Sequence, residues 1–309
     1  MNNKEHVPVL LDEVLEGLNV HADGWYVDAT FGRGGHSRAI LQHLGSAGRL
    51  LAIDRDPDAV SAVDTTLLQD PRFELVQGEF SELRNYANER ALLGKVDGLV
   101  LDLGVSSPQL DEAARGFSFQ AEGPLDMRMD PGSGTSAAEW LAAVDEKDLK
   151  KVIAKLGEER FAAPIARAIV AARAVKPIRT TGDLVDIILA VTPGRGQRKH
   201  PATKTFQAIR MFINRELEQL DAALAASLDL LRPGGRLCVI SFQSLEDRRV
   251  KRFMRNESRV PEQFRGLPEV PAEFRPRLKL VGKAVTASET EVAANVRARS
   301  ARLRIAERL

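Results

Sequence analysis

Short apolar runs and helix-like periodicity alternate along the first hundred residues of the chain. The apolar runs that have the length of buried strands lie at 26–30, 50–53, 73–77 and 97–104. Apolar residues at spacings of three and four predict helices at 37–44 and 83–93. This alternation predicts an α/β fold in which helices cover both faces of a parallel sheet. Because parallel strands deliver their loops to one edge, we expect the carboxyl ends of these runs to border a single crevice.

The alternation stops after Gly104 for more than a hundred residues. Helical periodicity fills most of this interval, at 136–143, 146–156, 161–174, 181–190 and 203–231. We therefore predict a helical subdomain at 111–210, inserted into a discontinuous α/β domain made of 1–110 and 211–309. A fifth strand is predicted at 236–242, and the segments 278–280 and 302–306 are candidates for the last strands.

A glycine-rich turn follows the first predicted strand. Its residues are Phe31, Gly32, Arg33, Gly34, Gly35, His36 and Ser37. Glycine permits a positive φ and a close approach of the backbone to a ligand, and the free N–H groups of the next helix attract a carboxylate or a phosphate. The next apolar run ends at Asp54, where an acid would accept hydrogen bonds from both hydroxyls of a ribose. The pattern predicts a site for a nucleoside cofactor.

The spacing of the turn bears on the class of cofactor. A dinucleotide fingerprint requires Gly-x-Gly-x-x-Gly, and counting from Gly32 its last position is Ser37. The turn therefore favours S-adenosylmethionine over a nicotinamide dinucleotide. A glycine-rich connection that binds no ligand is the remaining alternative.

Composition narrows the class of protein. The chain has 309 residues, of which 44% are hydrophobic and 28% charged, as in ordinary globular proteins. No apolar stretch approaches the roughly 18 residues of a membrane span, and the first residues lack the apolar segment of a secretory signal, so we expect a cytoplasmic protein without membrane contact. The single cysteine, Cys238, excludes an internal disulfide, and its apolar neighbours predict a small buried side chain.

Charge is distributed unevenly, although the net charge is only +1. From residue 195 to the end, 24 Lys and Arg face 13 Asp and Glu. A basic carboxyl-terminal third is expected of a protein that holds a phosphate backbone against one face. Solvated helix faces that are rich in arginine would explain the same counts.

Several segments together resemble one known family. They lie at 6–11, 28–37, 52–57, 102–109, 115–119, 123–130, 157–161, 200–203 and 241–248. In this order and spacing the chain is similar, over nearly its whole length, to ribosomal RNA small subunit methyltransferase H, the bacterial 16S rRNA cytidine N4-methyltransferase family. Two positions depart from the family pattern, since Gln243 replaces a histidine and Val296 replaces a proline. We therefore expect position 243 to serve in hydrogen bonding or packing rather than in proton transfer.

The resemblance implies a fold, a reaction and a partner. The fold would be a class I, Rossmann-like, S-adenosylmethionine-dependent methyltransferase sheet whose inserted helical subdomain recognises the substrate. The reaction would methylate the exocyclic N4 of a decoding-centre, P-site cytidine in 16S rRNA within the small ribosomal subunit, without a metal. The implied contacts with S-adenosylmethionine lie at Gly34, Gly35, His36, Asp54, Phe80, Asp102 and Gln109.

Several of these roles have alternatives. Asp102 is the candidate catalytic residue, because an acceptor aimed at the N4 hydrogens would make that nitrogen more basic. The alternative, which its place at the strand end favours, is that Asp102 only orients the cofactor. Phe80 would pack beside the adenine or simply belong to the core, and Gln109 would cap a helix start. Predicted contacts with RNA are Arg198, Lys199, His200 and Lys204 on the insertion and Arg248, Arg249 and Arg252 after the fifth strand.

Two other functions remain open at this point. One is an NAD-dependent oxidoreductase, and the other is a non-catalytic rRNA-binding assembly factor.

Overall fold

A single mixed sheet organises the two terminal parts of the chain. The computed structural model describes residues 8–193, 200–264, 266 and 269–309. Within these residues the strands are β1 (Trp25–Asp28), β2 (Arg49–Asp54), β3 (Phe73–Gln77), β4 (Val96–Asp102), β5 (Leu231–Ser241), β6 (Leu278–Leu280), β7 (Val285–Thr286) and β8 (Arg302–Arg308). Their order is β3-β2-β1-β4-β5-β8-β6, with β7 paired to β8.

Five neighbouring strands of the sheet run parallel. Strand β1 pairs with β2 on one side and with β4 on the other, and β4 pairs with β5. Strand β8 is antiparallel to β5 and to β6. The strand order reverses between β1 and β4, and ligands of such sheets bind at the carboxyl ends of the strands beside this reversal. The predicted α/β, Rossmann-like fold is confirmed.

Helices occupy both faces of the sheet and most of the interval between β4 and β5. They are α1 (Leu11–Leu18), α2 (Gly35–His43), α3 (Pro57–Ser61), α4 (Thr65–Leu68), α5 (Leu83–Glu89), α6 (Ser107–Asp111), α7 (Ala137–Ala143), α8 (Glu146–Leu156), α9 (Ala162–Val175), α10 (Thr181–Val191), α11 (Thr203–Ile213), α12 (Glu216–Leu230), α13 (Ser244–Glu257) and α14 (Glu289–Ala294). No helix in the described parts of the chain is both long and apolar enough to span a membrane.

The prediction of one helix over 203–231 is wrong. Arg215 has a φ of 51°, which lies in the left-handed region and ends the first helix. Asn214 holds the break, because its Nδ2 donates to the carbonyl oxygens of Met127, at 2.7 Å, and Arg210, at 2.9 Å. The apolar spacing continues through this point, so periodicity alone does not reveal the break.

The chain divides into two compact units. One comprises Met1–Gly104 and Glu218–Leu309, and the other is Val105–Leu217, within which the predicted subdomain 111–210 lies. The first unit contains the sheet, with a cluster of buried apolar side chains on each of its faces. The second has a separate helical core that includes Leu141, Ile153 and Ile165.

Side-chain caps define the helix starts of the second unit. Ser136 accepts from the N–H of Glu139 at 3.2 Å, and the side chain of Thr180 accepts from the N–H of Asp183 at 3.1 Å. Such caps each contribute about 1 kcal/mol and fix where a helix begins. This explains why the predicted and observed starts of α7 and α10 differ by at most one residue.

Candidate methyl-donor site

The glycine turn after β1 leaves no room for side chains at two of its positions. Gly34 has a φ of 71°, and a Cβ there would lie 2.7 Å from the ring of Phe31. A Cβ on Gly35 would lie 2.2 Å from Cγ of Pro8. Both contacts are shorter than the van der Waals distance, so only glycine fits. The turn exposes the first N–H groups of α2 at the carboxyl end of β1, where a carboxylate ligand is favoured.

Asp28 ties this turn to the sheet. Its side chain is 1% exposed, Ser37 Oγ donates to its Oδ2 at 2.7 Å, and the N–H of Thr30 donates to its Oδ1 at 3.1 Å. Burial raises the pKa of Asp28, while His36 and Ser37 oppose that change. Thr30 Oγ1 in turn accepts from the N–H of Asp102 at 2.7 Å, which links the turn to β4. No role was predicted for Asp28, although a carboxylate at the end of an apolar run is a signal for one.

Asp54 lies at the end of β2, as predicted, and its carboxylate also accepts hydrogen bonds from two backbone N–H groups. Its Oδ2 accepts from the N–H of Gly32 at 2.6 Å, and its Oδ1 accepts from the N–H of Asp56 at 2.8 Å. Burial raises the pKa of Asp54 to about 6, against the effect of these two donors. Each carboxylate oxygen has two lone pairs, so each can still accept a ribose hydroxyl. Asp54 therefore both braces the turn and fits the ribose.

Asp102 at the end of β4 has a buried oxygen without a partner. Its Oδ1 makes no hydrogen bond to any described residue, although 27% of the side chain is exposed. Its Oδ2 lies 3.8 Å from Nδ1 of His36. Burial raises the pKa of Asp102 to about 6, with opposition from His36 and a smaller contribution from Asp28 in the same direction. An unsatisfied buried acceptor is costly, which indicates a ligand that donates a hydrogen bond here.

His36 is buried in the first turn of α2. Its Nε2 lies 3.1 Å from the carbonyl oxygen of Val9. Because a carbonyl only accepts, Nε2 carries a proton, and Nδ1 is the ring nitrogen that faces the carboxylate of Asp102. The ring is therefore anchored at one nitrogen and lies beside the carboxylate at the other.

The remaining two predicted cofactor contacts lie in different units. Phe80 is partly buried against the sheet core, three residues after Gln77, which pairs with Asp54 in register. Gln109 belongs to the second unit and is buried at the start of α6, where its Oε1 accepts from the N–H of Ser106 at 2.9 Å. The structure thus supports the helix-cap alternative for Gln109.

The predicted RNA contacts on the insertion are only partly described. Arg198 and Lys199 lie outside the described residues. His200 is exposed and stacks on Phe119, with ring centroids 4.6 Å apart. Lys204 donates from Nζ to the carbonyl oxygen of Glu158 at 2.8 Å.

The predicted contacts on α13 differ from one another. Arg249 forms an ion pair with Asp221, whereas Arg248 and Arg252 are exposed. Gln243 is the N-cap of this helix: in a capping box its side chain accepts from the N–H of Glu246, and Oε2 of the buried Glu246 accepts from the N–H of Gln243 at 2.9 Å. Position 243 is thus a hydrogen-bonding position at a helix start, as expected.

Neither a reactive thiol nor a metal cluster is found among the described residues. Cys238 is buried in β5, and burial raises the pKa of its thiol. No group of three or more His, Cys, Asp and Glu side chains within the described ranges is arranged to hold a metal ion.

Comparison with solved structures gives matches along the whole chain at low identity. A candidate rRNA methylase from Clostridium thermocellum is 12% identical, with 98% of this chain and 100% of that chain covered and a TM-score of 0.45. A candidate methyltransferase from Streptococcus mutans, solved with S-adenosylhomocysteine, is 11% identical, with coverage of 98% and 100% and a TM-score of 0.44.

The comparison with family models is decisive. Residues 3–309 match the model of the MraW methylase family, which is the family of ribosomal RNA small subunit methyltransferase H. The match sets aside the NAD-dependent oxidoreductase and the non-catalytic assembly factor. The donor site fits the cofactor of this family, since Asp54 retains free lone pairs for the ribose hydroxyls and the first N–H groups of α2 lie directly after the glycine turn. The chain belongs to the MraW methylase family and is an S-adenosylmethionine-dependent rRNA methyltransferase.

Proposed function

We propose that this protein methylates the exocyclic N4 of a cytidine in the decoding centre of 16S rRNA, at the P site, within the small ribosomal subunit. The observation that carries the proposal is the unsatisfied Oδ1 of Asp102 at the carboxyl end of β4. An amine that carries two hydrogens is a suitable donor for that oxygen. The resemblance of the segment 102–109 to the cytidine N4-methyltransferase family supplies the choice of base and atom.

The residues of the crevice divide the binding of S-adenosylmethionine between them. The Gly34–Gly35 turn and the first N–H groups of α2 hold the carboxylate of its amino-acid end. Asp54 accepts from the two ribose hydroxyls, and Phe80 packs beside the adenine. When bound, S-adenosylmethionine supplies an electrophilic methyl group on a positively charged sulfur.

Placement of the acceptor nitrogen is the main catalytic task of the protein. The two reactants must be held in line at about 3–3.5 Å, and such alignment accounts for much of the rate of enzymatic group transfers. The Thr30 contact holds the backbone of Asp102 at the end of β4, and the anchored ring of His36 lies beside its carboxylate, so Asp102 is placed at the crevice before substrate arrives.

Asp102 also acts on the reactivity of the acceptor. The lone pair of the cytidine N4 is delocalised into the ring, so this nitrogen is a poor nucleophile. A hydrogen bond from N4–H to an ionised Asp102 favours the more basic, tetrahedral nitrogen. The carboxylate of Asp102 then receives the proton that leaves N4. With a pKa of about 6 the carboxyl is ionised at neutral pH and is a better proton acceptor than an ordinary aspartate.

Mass spectrometry of rRNA nucleosides tests the proposed function. Small subunits from a strain that lacks the gene would be incubated with the protein and S-adenosylmethionine, then digested to nucleosides. We expect N4-methylcytidine to appear at one decoding-centre position, and to be absent when Asp54→Ala protein is used. A methyl group on another base, or on the cytidine C5 position, would contradict the proposal.

A further inference from the structure

A cavity of about 810 Å³ lies beside the second half of α13, within the first unit. Its described walls are strongly basic. The cationic lining residues are Arg248, Lys251, Arg252, Arg255, Arg259, Arg275 and Arg277, and the acidic ones are Glu257, Glu262 and Glu273. Phe274, which stacks on Phe264 at a centroid distance of 4.2 Å, provides an apolar part of the wall.

The sequence of α13 builds one wall of this cavity. Glu246, Val250 and Met254 are buried, and the two apolar side chains belong to the core beside the sheet. Residues at a spacing of four share a helix face, so Lys251 and Arg255 lie together, turned away from the buried side chains, and both are exposed. A row of cations therefore follows the helix on its solvent-facing side.

Most of the cationic lining residues have no partner among the described residues. Arg275 pairs with Glu269 at 3.3 Å, and Arg277 pairs with Glu257 at 2.7 Å. In contrast, the side chains of Lys251, Arg252, Arg255 and Arg259 form no hydrogen bond or ion pair with any described residue.

Unpaired cations in this arrangement have an energetic cost. Like charges three or four residues apart on a helix repel each other. The helix dipole offsets this only in the last turn, which leaves Lys251 and Arg252 unexplained. Guanidinium groups around a concave surface match the geometry of phosphate oxygens, which they bind in bidentate fashion.

We propose that this cavity binds consecutive phosphodiester groups of the rRNA substrate. The inference rests on the proposed function for the identity of the RNA. A row of cations along a helix matches a row of phosphates along a strand better than it matches one free anion. The cavity would fix the position of the RNA without reading its sequence, since phosphate contacts carry no base information.

The salt dependence of RNA binding tests this inference. The test variant is Lys251→Gln/Arg252→Gln/Arg255→Gln, and the ligand is the small ribosomal subunit in the presence of S-adenosylhomocysteine. Each lost phosphate contact lowers the slope of log affinity against log salt by about 0.7 for a single strand, so three contacts lower it by about 2. The same relation predicts a loss of affinity of about 100-fold at 0.1 M KCl.

A matched control separates the cavity from general charge. Lys95→Gln/Lys279→Gln/Lys283→Gln removes the same charge from exposed positions of the same unit that do not line the cavity. We expect its slope to change by less than about 1. An equal change in both triple variants, or no change in the cavity variant, would overturn the inference. If the cavity variant failed to fold, Arg255→Gln alone should still lower the slope by about 0.7.

Further readings separate this inference from the proposed function. S-adenosylhomocysteine should bind the cavity variant and the wild type equally in calorimetry. If the wild type binds the subunit with the expected slope but forms no N4-methylcytidine, the inference about the cavity holds and the proposed function fails. If the wild type forms N4-methylcytidine but the cavity variant binds the subunit normally, the proposed function holds and the inference fails. Inorganic phosphate at constant ionic strength should not displace RNA; if it does so from the wild type but not from the variant, the cavity is a site for a free anion and the inference fails.

Discussion

The crevice around Asp28, Asp54 and Asp102 and the cavity beside α13 both belong to the sheet-containing unit, but their charged side chains differ in sign and in how they are paired. In the crevice, buried carboxylates with raised pKa values are held by internal donors such as Ser37 and the N–H of Gly32. In the cavity, exposed cations such as Lys251 and Arg255 have no internal partners among the described residues. Preorganised acceptors suit a small ligand whose hydroxyls and amines must be placed accurately, whereas unpaired surface cations suit a long polyanion. The comparison predicts that changes in the crevice affect donor binding and rate, while changes in the cavity affect only RNA affinity and its salt dependence.

The largest expected effect is that of Asp54→Ala. The substitution removes two acceptors for the ribose and releases the N–H groups of Gly32 and Asp56. Hydrogen bonds to a charged group contribute about 1.5–3 kcal/mol each, so the affinity for S-adenosylhomocysteine should fall at least about 100-fold. Calorimetry measures this, with Asp148→Ala, an exposed carboxylate on α8, as the control that keeps normal affinity. Normal affinity of Asp54→Ala for S-adenosylhomocysteine would show that the ribose does not bind at Asp54.

Acidity should affect donor binding and folding in opposite directions. Asp54 and Asp102 each have a pKa of about 6, above the ordinary value near 3.8. Because the folded protein binds these protons more tightly than the unfolded chain, the contribution of the two groups to the free energy of unfolding falls as pH rises from about 4 to 6. Donor affinity should instead rise over this window, as the carboxylates ionise and accept hydrogen bonds.

Urea unfolding between pH 4 and 7 measures this effect. Asp102→Asn should gain stability relative to the wild type as pH rises through 6, because the variant has no carboxyl to ionise. A stability difference that does not change with pH would show that folding does not raise the pKa of Asp102.

Alanine substitutions at two glycines with left-handed backbones distinguish the cost of backbone strain from the cost of steric crowding. Gly34 and Gly94 have φ values of 71° and 69°, but a Cβ on Gly94 meets nothing within 4 Å. Alanine at either position costs about 1–2 kcal/mol for the backbone. Gly34→Ala must also displace Phe31, so its free energy of unfolding should be lower than that of Gly94→Ala by about 1 kcal/mol. It should also weaken binding of the methyl donor. Equal unfolding midpoints for the two variants would contradict the crowding.

The smallest expected effect distinguishes two arginines of α13. Arg249 is paired with Asp221, while Arg255 lines the cavity without a described partner. Arg249→Gln should therefore lower the salt slope of subunit binding less than Arg255→Gln, and it should change stability by less than about 1 kcal/mol. Equal slopes for the two variants would remove the distinction between the paired and the unpaired cation.

The strands of the sheet, and the site residues that directly follow a strand, could be predicted from the sequence. Apolar runs located β1 to β4 within two residues of their starts and ends. In β1, β2 and β4, burial on both faces leaves a nearly continuous apolar signal, whereas the edge strand β3 is only partly buried. The glycine turn and Asp54 were also found, since each stands directly after a predicted strand. The carboxylate of Asp102 was a candidate from its place alone, without the unsatisfied oxygen that supports its role.

Features that depend on contacts between distant residues could not be predicted. The link from Asp28 through Thr30 to Asp102 joins two strands, and neither strand shows it separately. Pro8 excludes a side chain at Gly35 from 27 positions away. The cavity beside α13 needs a wall from residues 259–262, 273–275 and 277, and the two short helical turns at Glu262–Phe264 and Ala272–Phe274 leave no periodic signal.

Single-turnover methylation by Asp102→Asn, with saturating S-adenosylmethionine and small subunits, tests the central claim most directly. The account predicts a rate at least about 100-fold below that of the wild type, the low end for loss of a proton acceptor, while calorimetry shows an affinity for S-adenosylhomocysteine changed less than about fivefold. A near-normal rate at saturating donor together with a large loss of donor affinity would contradict it, and would make Asp102 a residue that only orients the cofactor.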